Sequence, residues 1–116
     1  MYAQRVFCQD WPAAISFYRD LLGMPVRFAD EAMGWAEFDL GGVSLAVERS
    51  TDEALCGRFV GISLQVEDIR ATYEEMVDKG VVFTAPPEAQ PWGGVLAHFR
   101  DPADNILTLL GEPAGT

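Results

Sequence analysis

The chain reads twice. Residues 10–28, DWPAAISFYRDLLGMPVRF, and residues 68–83, DIRATYEEMVDKGVVF, each run from an Asp through an amphipathic stretch to a Gly and into a short apolar segment. A repeat of this kind restricts the fold to two copies of one supersecondary unit, because each copy has a single apolar stripe to bury. In the first copy Asp10 is placed to cap a helix, Pro12 falls in the first turn where its missing N–H costs nothing, and Gly23 supplies the left-handed residue that ends it. The face it should bury is Ala14, Ile15, Tyr18, Leu21 and Leu22. In the second copy Asp68 caps, Ile69, Tyr73, Met76 and Val77 recur at helical spacing, and Gly80 terminates.

Alternation and β-branched content mark the flanking strands, at about 2–8, 25–29, 33–40 and 43–49, then 58–66, 81–84, 94–100 and 105–110. LeuGlyGly at 40–42 and AspProAlaAspAsn at 101–105 are hairpin turns, while the polar, aperiodic STDEALCG at 50–57 links the halves. The order is βαβββ twice. This predicts one α+β domain over residues 1–116, with module 1 at about 1–49, a linker at 50–57 and module 2 at about 58–112. A helix covers one face of each module. The uncovered faces are expected to form a concave mixed sheet with the helices outside, and a ligand would occupy the concavity.

Charge narrows the partners. Eight Lys and Arg against eighteen Asp and Glu give 8 − 18 = −10, which repels phosphate backbones and anionic headgroups and favours cationic ligands. No nucleic acid is expected. Met1 is followed by no charged n-region and apolar core, and no apolar run approaches the roughly 18 residues of a membrane span, so a cytoplasmic location with no membrane partner is predicted. Cys8 and Cys56 have neither CxxC spacing nor an adjacent His and read as reduced thiols.

The paired modules, with FYRDLLGM at 17–24, QPWGG at 90–94 and HFRDPADNILTL at 98–109, resemble the vicinal oxygen chelate superfamily, the group of glyoxalase I, extradiol dioxygenases, fosfomycin-resistance enzymes and bleomycin-resistance proteins. The resemblance spans nearly the whole chain. One departure lies in the turn, where the family's AspProAspGlyAsn has Gly at the position of Asp104; Asp tolerates the left-handed region better than most residues.

In the metal enzymes of that superfamily, ligands stand at points that match Ala3, Ala46, Gly61 and Thr108 here. Alanine and glycine supply no side-chain ligand to a divalent cation, and Thr108 offers only a weak hydroxyl. The resemblance therefore implies no metal and no cofactor. It also implies that His98 faces the pocket. Alternation sets Leu96, His98 and Arg100 on one face of their strand, and the repeat pairs Glu37 with His98 and Trp35 with Leu96.

Two functions from different classes follow. The favoured one is a metal-free binding protein of the bleomycin-resistance type, an antibiotic-sequestering homodimer, which holds a small aromatic or cationic molecule with Trp35, Glu37, Trp92, Leu96, His98 and Thr108. The alternative is a glyoxalase- or dioxygenase-like enzyme, a lyase, isomerase or epimerase acting on a small metabolite, either with a metal held by other residues or metal-free with His98 and Glu37 as candidate catalytic acid and base.

Overall fold

A computed structural model describes residues 3–113. It contains two four-stranded sheets of the same topology. The first is built from β1 (Gln4–Cys8), β2 (Val26–Asp30), β3 (Trp35–Asp39) and β4 (Ser44–Arg49), in the order β1-β4-β3-β2. The second is built from β5 (Phe59–Gln65), β6 (Glu88–Ala89), β7 (Val95–Arg100) and β8 (Ile106–Gly111), in the order β5-β8-β7-β6. In each, the first strand runs parallel to the last and the remaining pairs are antiparallel. The chain divides into two compact units. One runs to Arg58 and includes Pro102–Asn105; the other is Phe59–Asp101 with the segment from Ile106 onward. Among the described residues no helix is long and apolar enough to cross a membrane.

The helix caps are those the repeat implies. The Asp10 carboxylate accepts from the Ala13 N–H at 3.1 Å, and the Asp68 carboxylate accepts from the Ala71 N–H at 3.0 Å. The second helix, α2 (Ile69–Asp78), ends as expected: Gly80 is left-handed, its N–H donates to the Val77 carbonyl, and the Val81 N–H reaches back to Met76. It buries Ile69 and Met76, leaves Tyr73 half-buried and exposes Val77.

The first helix corrects the sequence reading. It begins as α1 (Trp11–Ile15) and widens into a π-helical segment, Ser16–Leu21, in which the Leu22 N–H donates to the Phe17 carbonyl five residues back. Widening the turn directs the consecutive side chains Phe17 and Tyr18 into the core and leaves Leu21 and Leu22 half-buried. The expected burial of Ala14, Ile15 and Tyr18 holds, whereas that of Leu21 and Leu22 fails. Trp11 is buried as well, and its indole N–H has no partner among the described residues.

A second correction concerns residues 81–84. They form no strand, only an isolated bridge between Phe83 and Phe99. Pro86 and Pro87 follow, and proline has no N–H to donate to a ladder. Pairing with β7 resumes only at Glu88–Ala89.

Both hairpin turns form. Gly41 and Gly42 have φ of 78° and 97°, the left-handed pair that a two-residue turn between twisted strands requires. Asp104 has a φ of 63° and is the one non-glycine residue with positive φ among those described. The left-handed region costs an L-residue roughly 1 kcal/mol, partly offset by the extra freedom glycine has in the unfolded chain. Asp104→Gly should therefore stabilise the protein by about 0.5 kcal/mol, read as a higher urea midpoint.

Candidate functional site

Each unit presents one sheet face away from its helix. In the first, strand register sets Arg5, Ala46, Glu37 and Phe28 in one row across β1, β4, β3 and β2. Glu37 is 7% exposed, and its Oε2 accepts from the Trp35 indole N–H at 3.0 Å. The structure thus joins these two predicted residues in a single polar contact. Arg5, beside Ala46, forms an ion pair with Glu48 at 3.1 Å and lies over the Phe7 ring.

The equivalent row in the second unit is Ser63, Thr108 and His98, across β5, β8 and β7. His98 Nδ1 and Thr108 Oγ1 are 2.8 Å apart, and Thr108 is only 3% exposed. Phe59 meets the imidazole edge-on, with centroids 5.6 Å apart. Leu96 faces the same way as His98 and stands opposite Leu110 and Glu88. Predicted residues Leu96, His98 and Thr108 therefore share one surface. Glu37 and Trp35 belong to the first unit, His98 and Thr108 to the second.

Register also revises the comparison with a metal site. Gly61 has a φ of 68° and lies in an irregularity between Phe59 and Ser63, so the residue beside Thr108 is Ser63. By the same logic Arg5, not Ala3, stands beside Ala46. A guanidinium repels a cation, a serine hydroxyl is a poor ligand, and each row contributes one strong donor, Glu37 or His98. Among the described residues no three His, Cys, Asp or Glu side chains gather as a metal site would need. These residues do not fit a divalent metal.

A cleft of about 790 Å³ opens at one end of the second sheet, lined by Gln65, Glu67, Trp92, Leu110, Glu112 and Pro113 among others. Trp92 is 65% exposed. Its indole lies against Gly94, where any Cβ would collide with the ring. The sequence QPWGG therefore carries its own explanation: the glycine is the seat of the tryptophan. Two carboxylates, Glu67 and Glu112, share the cleft with this aromatic surface and with apolar Leu110 and Pro113. The sequence singled out Trp92 but not the carboxylates, which only strand ends and a loop bring together.

Comparisons with known proteins agree with this architecture. The family model of the glyoxalase/bleomycin resistance protein/dioxygenase superfamily matches residues 2–109. YraH of Bacillus subtilis (strain 168) is 29% identical over 119 residues, covering 90% of this chain and 92% of that protein. A superfamily member from Sphaerobacter thermophilus DSM 20745 superposes with a TM-score of 0.82 at 27% identity, covering 97% of this chain and 96% of that one. The bleomycin-binding protein of Streptomyces verticillus, in complex with copper(II)-bleomycin, has the same fold, with a TM-score of 0.75 at 24% identity over 96% of this chain and 94% of that one. With two βαβββ units and a matching family model over almost its whole length, the chain belongs to the glyoxalase/bleomycin resistance protein/dioxygenase superfamily.

Proposed function

We propose that the protein binds a small aromatic or cationic molecule without a metal, and that the cleft at Trp92 is where it does so. The observation that carries this reading is an indole left 65% exposed beside Glu67 and Glu112. Water solvates such a surface poorly, whereas a flat cation is attracted both by the ring face and by the carboxylates. Antibiotic sequestration is a role in keeping with this chemistry, and the Streptomyces verticillus protein of the same fold is one that binds bleomycin. The proposal has the protein acting in the cytoplasm as a homodimer; exposed Val26, Phe28 and Met33 on β2 and its turn are apolar surface that a second copy would cover.

Ethidium is a suitable planar cationic probe. Saturable quenching of tryptophan emission is expected, and Trp92→Ala should weaken binding by about tenfold, the worth of one stacking and cation–π contact. No saturable response at millimolar ethidium, or undiminished binding to the variant, would refute the reading. Light scattering on the same sample, if it gave the monomer mass, would remove the dimer.

The enzyme reading draws on the imidazole held by Thr108 and the carboxylate held by Trp35, each fixed in orientation as an acid or base should be. It requires that His98→Ala abolish turnover of a metabolite. An unaltered pH–rate profile in that variant would end it.

A further inference from the structure

The face of the second sheet that carries His98 also carries a positive charge with which no described residue forms an ion pair. Arg5, Arg19, Arg27 and Lys79 each pair with a carboxylate, and Arg49 donates to the carbonyls of Glu31 and Ala32. The Arg100 side chain has no hydrogen bond or ion pair among the described residues, in a chain where acids outnumber bases by 18 to 8. The side chains of Arg58 and Arg70 share that lack of a partner but are exposed, whereas Arg100 is half-buried in a strand. A cation partly withdrawn from water in an acidic protein, and in no ion pair with any described acid, is a site prepared for an anion.

Its neighbours define which anion. Alternation along β7 puts Arg100 on the same face as His98, about 7 Å further along the strand. Arg100 stands opposite Ile106, which stands opposite Phe59; His98 stands opposite Thr108, which stands opposite Ser63. The two rows are adjacent. One presents a guanidinium beside an apolar wall, since Phe59 is 63% exposed and Ile106 half-buried. The other presents a hydroxyl on Ser63 and the imidazole, whose Nδ1 is engaged by Thr108 and whose Nε2 has no partner among the described residues.

We propose that these rows form a binding site for the carboxylate of a small aromatic acid. Arg100 grips the planar carboxylate with two parallel N–H donors, a geometry matched to the guanidinium fork. With the Thr108 hydroxyl donating to Nδ1, the imidazole proton resides on Nε2 and donates to the same group. Phe59 packs against the acid's ring. One full positive charge balances a monoanion, and a phosphate dianion would be left half-neutralised. The site is separate from the cleft at Trp92 and independent of it: Ile106 lies four residues before Leu110 on β8, roughly 13 Å along the strand.

Amide and side-chain NMR signals followed through a titration with benzoate test this, with benzamide as the uncharged isostere and inorganic phosphate as the rival anion. Saturable shifts at Phe59, His98 and Arg100 are expected with benzoate. Benzamide should bind about tenfold more weakly, as should benzoate to Arg100→Gln, because a charge-assisted pair is lost in each case. Trp92→Ala should leave benzoate binding unchanged. The proposal is overturned by no saturable shift at millimolar benzoate, by an equal response to benzamide, by tighter binding of phosphate, by wild-type affinity in Arg100→Gln, or by loss of binding in Trp92→Ala. If Arg100→Gln fails to fold, the contrast between benzoate and benzamide on the unaltered chain decides.

Discussion

Replacing Asn105 with alanine is expected to lower the unfolding free energy by about 2–3 kcal/mol, although the residue sits in a turn. Asn105 is 0% exposed, and its amide works in both directions. Nδ2 donates to the Phe7 carbonyl at 2.8 Å, while Oδ1 accepts from the Gly57 N–H at 3.0 Å and, more weakly, from the Arg58 N–H at 3.4 Å. One side chain thereby ties the turn to β1 and to the segment before β5, across separations of 98 and 48 residues. Alanine leaves these backbone groups without their partner. Gly57 and Arg58 are exposed, so water restores part of the loss there, which sets the figure below the sum of three buried hydrogen bonds. Asn105→Asp separates hydrogen bonding from volume: it keeps the acceptor, loses the donor to Phe7 and places a charge in a buried position, so it should destabilise by at least as much. Urea unfolding gives both values. A loss under about 0.5 kcal/mol in each variant would show that the amide is not what holds the turn.

This contact also shows where the sequence stopped being informative. DPADN was legible as a turn because Pro and Asn act on their own backbone, and the caps at Asp10 and Asp68 were legible for the same reason: a carboxylate reaches an N–H three residues on. The distant partners of Asn105 leave no trace in local sequence. The π-helical segment at Ser16–Leu21 is invisible to 3.6-residue periodicity, which points to Leu21 and Leu22 as core instead of Phe17. The missing strand at 81–84 does have a signal, Pro86 and Pro87, set against the β-branched Val81 and Val82 that favour a strand.

The candidate site divides along the same line. Alternation on β7 correctly gathered Leu96 and His98 on one face, because a strand's period of two is local. Finding Ser63 beside Thr108 required knowing that the strand is irregular around Gly61, a matter of cross-strand register. Glu67 and Glu112 as neighbours of Trp92 were likewise out of reach, as was the lack of an ion pair to Arg100 among the described residues. Residue type suggested the chemistry. Pairing between distant segments determined which residues could share it.

The repeat yields the largest expected effect on stability, because it places one phenylalanine at equivalent points of both units. Phe38 on β3 and Phe99 on β7 are each 0% exposed and stand beside Glu37 and His98 in their strands. Phe38 packs against Tyr18 of the π-helical segment, with centroids 5.9 Å apart, and Tyr18 meets Phe17 edge-on at 5.1 Å. Phe99 packs against Phe83 at 5.7 Å, and Phe83 meets Tyr73 of α2 at 4.7 Å. In both units a chain of rings joins sheet to helix, so removing its inner member leaves a cavity that helix and sheet cannot close without separating from their other contacts. Phe99→Ala should cost about 3–5 kcal/mol, and Phe38→Ala a similar amount. Phe99→Leu, which retains most of the apolar volume, should cost less than half as much, and this separates packing from ring-to-ring geometry. The strand neighbours give the experiment its bearing on function: His98 points away from the helix, so its contact with Thr108 should persist in Phe99→Leu while stability falls. Denaturant unfolding and the His98 side-chain NMR signals, measured on the same variants, resolve the two effects; a stability loss below about 1 kcal/mol for Phe99→Ala would mean that the ring chain does not bear the second unit's core.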